Sequence, residues 1–188
     1  MKKSKNNSFR KSTKTAIATL GASLFVQAMT GGQAFSNPYD QPDSEHAWAS
    51  FRNLNVSSYD AKLKEYKEKG YRPVDVETDG VLWNIVFRKN TNGPAWAIHT
   101  ALDNNAYSTK WKSYQSLGYR LVDFETYVKS GKRYYGGIWI KNNPKLTWGS
   151  YRNMSLSEFD KKRLDLIAKG MMPIDVEAYT MGLSLIHI

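Results

Sequence analysis

Three pairs of carboxylates recur along the chain at one spacing: Asp75/Glu77, Asp123/Glu125 and Asp175/Glu177. Residues two apart on a strand share a face, so each pair presents its acids side by side. Such a pair can do two kinds of chemistry. Its oxygens can hold a hard cation such as Ca²⁺, or the two groups can divide into a general acid and a general base. Repetition speaks for a third role. A catalytic pair is needed once, whereas residues that recur in every unit of an array ordinarily serve the contacts between units. On that favoured reading the acids bond the backbone of the next unit or pair with Arg72 and Arg120.

Little else is equipped for catalysis. His46, His99 and His187 are the only histidines, and their spacing makes no metal-ligand set. The chain has no cysteine, which excludes a disulfide framework and thiolate chemistry. A G-x-S-x-G elbow is absent. Ser8-Phe-Arg-Lys11 matches S-x-x-K only by chance. Tyr135-Gly-Gly-Ile138 reads as strand glycines that relieve packing, not as a phosphate loop. No catalytic, metal-binding or cofactor-binding residue is assigned, and no cofactor is expected.

The six tryptophans all hold repeat positions. Trp48, Trp96 and Trp148 open units, Trp111 lies on a helix stripe, and Trp83 and Trp139 lie in returning strands. They could form a platform for sugar rings. Packing in the core or between units is favoured, because aromatics supply much of the buried area in small units. The three opening tryptophans join the six acids as candidate binding or repeat-interface residues.

The elements that must position these residues follow from the register. Trp48, Trp96 and Trp148 each stand 22 residues before a glycine, Gly70, Gly118 and Gly170. Each glycine precedes Asp by 5 and Glu by 7. The chain is therefore a tandem array with a period of 48 to 52 residues. In the first unit Trp48-Ala-Ser-Phe-Arg-Asn-Leu54 alternates as a strand. Asn55 caps a helix whose stripe is Val56, Tyr59, Leu63 and Tyr66, and Gly70 stops it. Tyr71–Thr78 follows as a strand with Val74 and Val76 on one face. Asp79-Gly80 gives a two-residue hairpin, and Val81–Arg88 returns. The second unit repeats this with Asp103 as cap, Tyr107, Trp111 and Tyr114 as stripe, and Tyr134–Ile140 as returning strand. In the third, Ser155-Leu-Ser-Glu158 is a capping box, and Phe159, Leu166 and Ile167 face inward.

The expected fold is α+β: tandem β-α-β-β repeats, each an antiparallel hairpin packed on one helix, with two full units and a truncated third. A unit of about 50 residues cannot bury enough surface alone, so neighbours must share a core. Kelch repeats have a similar period but no helix, so a propeller is not expected.

Residues 1–36 read as a signal peptide, 37–47 as a linker, 48–95 as repeat one, 96–147 as repeat two and 148–182 as repeat three. The leader combines a basic start, an apolar run from Thr15 to Met29 and small residues at Gly32-Gln-Ala34 or Ala34-Phe-Ser36. A retained amphipathic anchor is the alternative. Of the 27 basic residues, 6 lie in this segment, leaving 21 against 17 acids. The remaining excess is small, so no nucleic-acid partner is expected. The third unit lacks its returning strand. Leu183-Ser-Leu-Ile-His-Ile188 stands in its place and matches the translation of a transposon-end adaptor, CTG TCT CTT ATA CAC ATC. That tail reads as non-native; a genuine strand completing the hairpin is the alternative.

The order Trp, capped aromatic helix, Gly-Tyr-Arg, Val-Asp-Val-Glu or Val-Asp-Phe-Glu-Thr-Tyr, then Gly-Ile-Trp, resembles the bacterial tandem repeat family found beside serine hydrolases of the β-lactamase type. That family includes the N-terminal regions of polyglycine hydrolases. The resemblance runs from Trp48 to Gly182 and departs at Lys169-Gly-Met-Met-Pro173, where Met171 and Met172 replace Tyr-Arg. It implies a non-catalytic accessory region, with a hydrolase domain in the same natural chain.

The expected function is a secreted, extracellular module that binds a polymer or protein as part of a larger hydrolase, without membrane contact after leader cleavage. The alternatives are an enzyme using the acidic face on a glycan or peptide, and a structural extracellular spacer.

Overall fold

The structure, a computed structural model, describes residues 19–28 and 47–181, with side chains from 47 to 179. Thr19–Ala28 is β1. The first unit contains β2 (Trp48–Leu54), α1 (Val56–Glu68), β3 (Tyr71–Thr78) and β4 (Trp83–Lys89). The second contains β5 (Trp96–Leu102), α2 (Asn104–Ser116), β6 (Tyr119–Lys129) and β7 (Lys132–Lys141). The third contains β8 (Trp148–Ser155), α3 (Leu156–Ala168) and β9 (Met171–Met181). Residues 1–18, 29–46 and 182–188 lie outside the described residues, and with them the leader's basic start and small-residue cleavage site, most of the 37–47 linker and the 183–188 tail. Among the described residues no helix is long and apolar enough to cross a membrane.

Local chemistry accounts for the helix limits. Asn55 accepts from the Ser58 N–H at 2.9 Å. Asp103 accepts from Asn105 and Ala106 at 2.9 and 2.8 Å. Ser155 and Glu158 close a reciprocal capping box. These side chains satisfy N–H groups that a helix start leaves unpaired. At the other end Gly70, Gly118 and Gly170 turn the chain at φ of 78°, 72° and 71°, a conformation that disfavours a Cβ.

Each unit forms one antiparallel three-stranded sheet, and the returning strand lies in its middle: β2-β4-β3 and β5-β7-β6. In the third sheet the order is β8-β1-β9. There β1 takes the middle place, from Gln27 opposite Trp148 to Gly21 opposite Ser155 on one side, and from Ala28 opposite Met171 to Thr19 opposite Met181 on the other. The place that the returning strand holds in the other two sheets is thus taken by an uncharged stretch of the segment that the sequence assigns to the leader. The physical demand is plain: without a middle strand, β8 and β9 would each leave a row of N–H and C=O groups without partners.

Four expectations change. The tight hairpin is at Ser130-Gly131, both at positive φ, between Lys129 and its partner Lys132. At Asp79-Gly80 the connection is longer, because Asp79 Oδ1 accepts from both Val81 and Leu82 N–H at 2.8 Å. This delays the returning strand to Trp83. Val74 and Val76 do not share an inward face: the ladder slips between Pro73 and Asp75, and Pro73 and Val76 are the buried residues. Ile167 is 48% exposed, and Leu166, with Phe159 half-buried against it, holds the helix to the third core.

The cores run across unit boundaries. The first joins Tyr59, Val76, Trp83, Ile85 and Phe87 to Tyr127 and Ile138 of the second unit. The next joins Tyr107, Leu121, Phe124, Tyr135 and Trp139, with Trp148 of the third unit packed against it. β6 is consequently buried on both faces over most of its length.

Candidate functional site

The same one-residue slip occurs in each acid-bearing strand. It falls between Pro73 and Asp75, between Leu121 and Asp123, and at Pro173/Asp175 opposite Val26/Phe25. A bulge reverses the faces of the residues beyond it. In β6 it leaves Leu121 and Phe124 under α2 while Val122 turns to the first unit's core. Asp and Glu then project from β3, β6 and β9, which lie side by side with β6 between its neighbours.

The acids meet there. Carboxylate oxygens of Glu77, Glu125 and Glu177 lie within 4.8 Å of one another. Glu125 is 1% exposed and Asp123 7%; Asp75, Asp175 and Glu177 are half-buried, and Glu77 lies at the exposed rim. Asp175 Oδ2 accepts a hydrogen bond of 2.8 Å from the Phe124 N–H. The Thr78 backbone donates to the Glu125 carboxylate. Asp123 Oδ2 and Glu125 Oε2 are buried with no hydrogen-bond partner among the described residues.

All six groups are pushed toward the protonated form. Burial is the main cause, and the other carboxylates add to it. Glu125 rises to about 10, through burial and then Glu177 and Glu77. Glu177 rises to about 8, through burial and then Glu77 and Asp175. Asp123 is raised well above the ordinary range by burial and then by Asp175, Asp75, Glu125 and Glu77. Asp75 and Glu77 rise chiefly through burial, and so does Asp175, with the Phe124 N–H opposing. Chemically the cluster can hold protons, accept backbone hydrogen bonds or surround a cation.

The opening tryptophans sit against the preceding helix. Trp148 packs on Trp111 with ring centroids 5.5 Å apart. Lys67 Nζ stands 5.9 Å from the Trp96 ring centroid. Trp48, with no helix before it among the described residues, is 65% exposed.

Reading the sequence missed one clamp. Arg152 Nη2 donates to Asn104 Oδ1 at 3.0 Å and Ser108 Oγ at 2.8 Å. Its guanidinium lies 4.6 Å from the Tyr107 ring centroid and 5.1 Å from that of Tyr135. Next to it, Asn153 Oδ1 accepts from Arg133 at 2.6 Å and Tyr135 OH at 2.7 Å. The signal was present: Arg-Asn recurs as Arg52-Asn53 and Arg152-Asn153, with both asparagines at positive φ, 55° and 61°.

Units of strand, helix and hairpin, joined through shared cores and a common acidic seam, define a tandem-repeat array. The sequence matches the family described as polyglycine hydrolase-like, structural repeat, over residues 45–87, 93–142 and 145–185. The chain belongs to that family. Among curated proteins none matches it.

Proposed function

We propose that this chain is a secreted, non-catalytic repeat module that serves as a substrate- or partner-binding accessory region of a larger hydrolase. The observation that carries the reading is the use made of the recurring residues. Asp175 bonds the neighbouring unit's backbone, and Trp148 packs on the neighbouring unit's helix. Residues spent on joining units build a rigid surface rather than one active centre. The family description, a structural repeat of polyglycine hydrolase-like proteins, supports the same reading and suggests a glycine-rich peptide as first probe. Export is supported by the basic, apolar and small-residue order of residues 1–36.

The test is a titration of the chain with an oligoglycine-containing peptide, followed by tryptophan fluorescence, with mass spectrometry of the peptide afterwards. Saturable binding with intact peptide is the expected result. Cleavage that disappears in Glu125→Gln would replace this reading with an enzyme, and absence of any binding would leave the spacer role. Mass spectrometry of the exported protein should place its first residue between Phe35 and Asn37, a cleavage that takes β1 out of the third sheet and leaves the place between β8 and β9 to another strand; an intact Met1 in the soluble cytoplasmic fraction would contradict export.

A further inference from the structure

We propose that Glu77, Glu125 and Glu177 form a binding site for a divalent, oxygen-seeking cation of the Ca²⁺ class, which clamps the three units together where β3, β6 and β9 meet. The donor set comes first. One oxygen from each unit lies within 4.8 Å of the other two. Three evenly placed donors about 2.4 Å from one cation stand about 4.2 Å apart, so the site needs only a small side-chain adjustment, not movement of the strands, to close around such an ion.

A separate observation points to a ligand. Glu125 is 1% exposed, and its Oε2 has no hydrogen-bond partner among the described residues, although the Thr78 backbone donates to the same carboxylate. Asp123 Oδ2, two residues away on the same strand and 7% exposed, is also without a partner. Buried carboxylate oxygens are ordinarily bonded or ligated, because leaving them bare forfeits their hydration. The unpartnered Glu125 oxygen belongs to the same carboxylate that brings an oxygen within 4.8 Å of those of Glu77 and Glu177.

The chemistry of the donors selects the ion. All are carboxylates, which suits a hard cation and disfavours Zn²⁺, whose sites are usually built from nitrogen and sulfur. Three donors on three separate strands form a wide cradle, which fits Ca²⁺ better than Mg²⁺ with its tight octahedron and reluctant dehydration. Glu77 at the exposed rim gives entry and leaves room for water to complete the shell.

The experiment uses the full chain stripped with EGTA. Isothermal titration with CaCl₂ and with MgCl₂ is combined with thermal melts at about 10 mM of each ion, above the dissociation constants of about 10⁻⁴ to 10⁻³ M common in extracellular calcium modules. One equivalent of Ca²⁺ should bind and raise the melting temperature by about 3 °C or more, and EGTA should reverse the rise. Glu125→Gln and Glu77→Gln should abolish both binding and shift, while Asp60→Asn on the exposed face of α1 keeps them. Glu77 sits at the rim, so its variant folds even where Glu125→Gln does not. Absence of Ca²⁺ binding to the wild type, or an undiminished shift in Glu77→Gln, would overturn the proposal. Neither readout involves peptide binding, so failure here leaves the accessory-module reading standing.

Discussion

Asp175 of the third unit accepts a hydrogen bond of 2.8 Å from the backbone N–H of Phe124 in the second. The two residues are 51 apart in sequence, and the bond joins adjacent strands of different sheets. It exists because the slip ahead of Asp175 re-aims that side chain toward β6.

Asp175→Ala should therefore destabilise the array by about 1–3 kcal/mol, the cost of leaving a buried N–H without its acceptor. Asp175→Asn keeps an acceptor oxygen and removes one of several crowded negative charges, so it should cost less than about 1 kcal/mol. Urea denaturation of both variants measures the difference; equal losses would mean that charge, not the bond, is what matters.

Arg152 couples two units through hydrogen bonds and two aromatic faces. Arg152→Ala should cost about 2 kcal/mol, and lysine should not restore it, because only the planar guanidinium can stack and bond at once. Arg52 holds the same place in the first unit but is exposed, so Arg52→Ala should stay within about 0.5 kcal/mol. Thermal melts of the three variants in parallel check the ranking.

Gly118 ends α2 at φ 72°, and an added Cβ would meet only Lys141 Nζ at 3.7 Å. Space is available, so the penalty is conformational. Gly118→Val should cost more than about 1 kcal/mol, and a melt indistinguishable from the wild type would remove the argument.

Gly137 presents the opposite case. A Cβ there would lie 2.8 Å from Leu121 Cδ1, 3.0 Å from Trp139 Cη2 and 3.1 Å from Asp123 O. Gly137→Ala should lose about 1–3 kcal/mol through overpacking, with changed near-ultraviolet circular dichroism because Trp139 must shift.

His99 Nε2 lies 2.8 Å from Tyr114 OH, and its ring meets Trp139 edge-on at 5.9 Å. Burial, with Lys110 adding, holds its pKa below 6.5. A folded-state value below the unfolded one means that the neutral ring's contribution is complete above 6.5 and fades as pH falls through the folded value. NMR titration should place this ring below 6.5. Relative to His99→Asn, the wild type should lose stability on acidification; a ring titrating above 6.5 would reverse the sign.

The sequence by itself determined the number of units, their period and the limits of their helices. Those features depend on neighbours within a few residues: Asn55, Asp103 and Ser155 cap their own helices, and Gly70, Gly118 and Gly170 end them. It also determined that each Asp lies two residues before its Glu. It did not determine where the ladders slip, because alternation looks the same on either side of a bulge until a partner strand is present. Only the tertiary structure placed Val122 in the first unit's core, put β1 between β8 and β9 and docked Arg152 on Tyr107 and Tyr135. The meeting of Glu77, Glu125 and Glu177 is of the same kind: it depends on how successive units are inclined to one another, an angle set by packing across the shared cores and written in no single repeat.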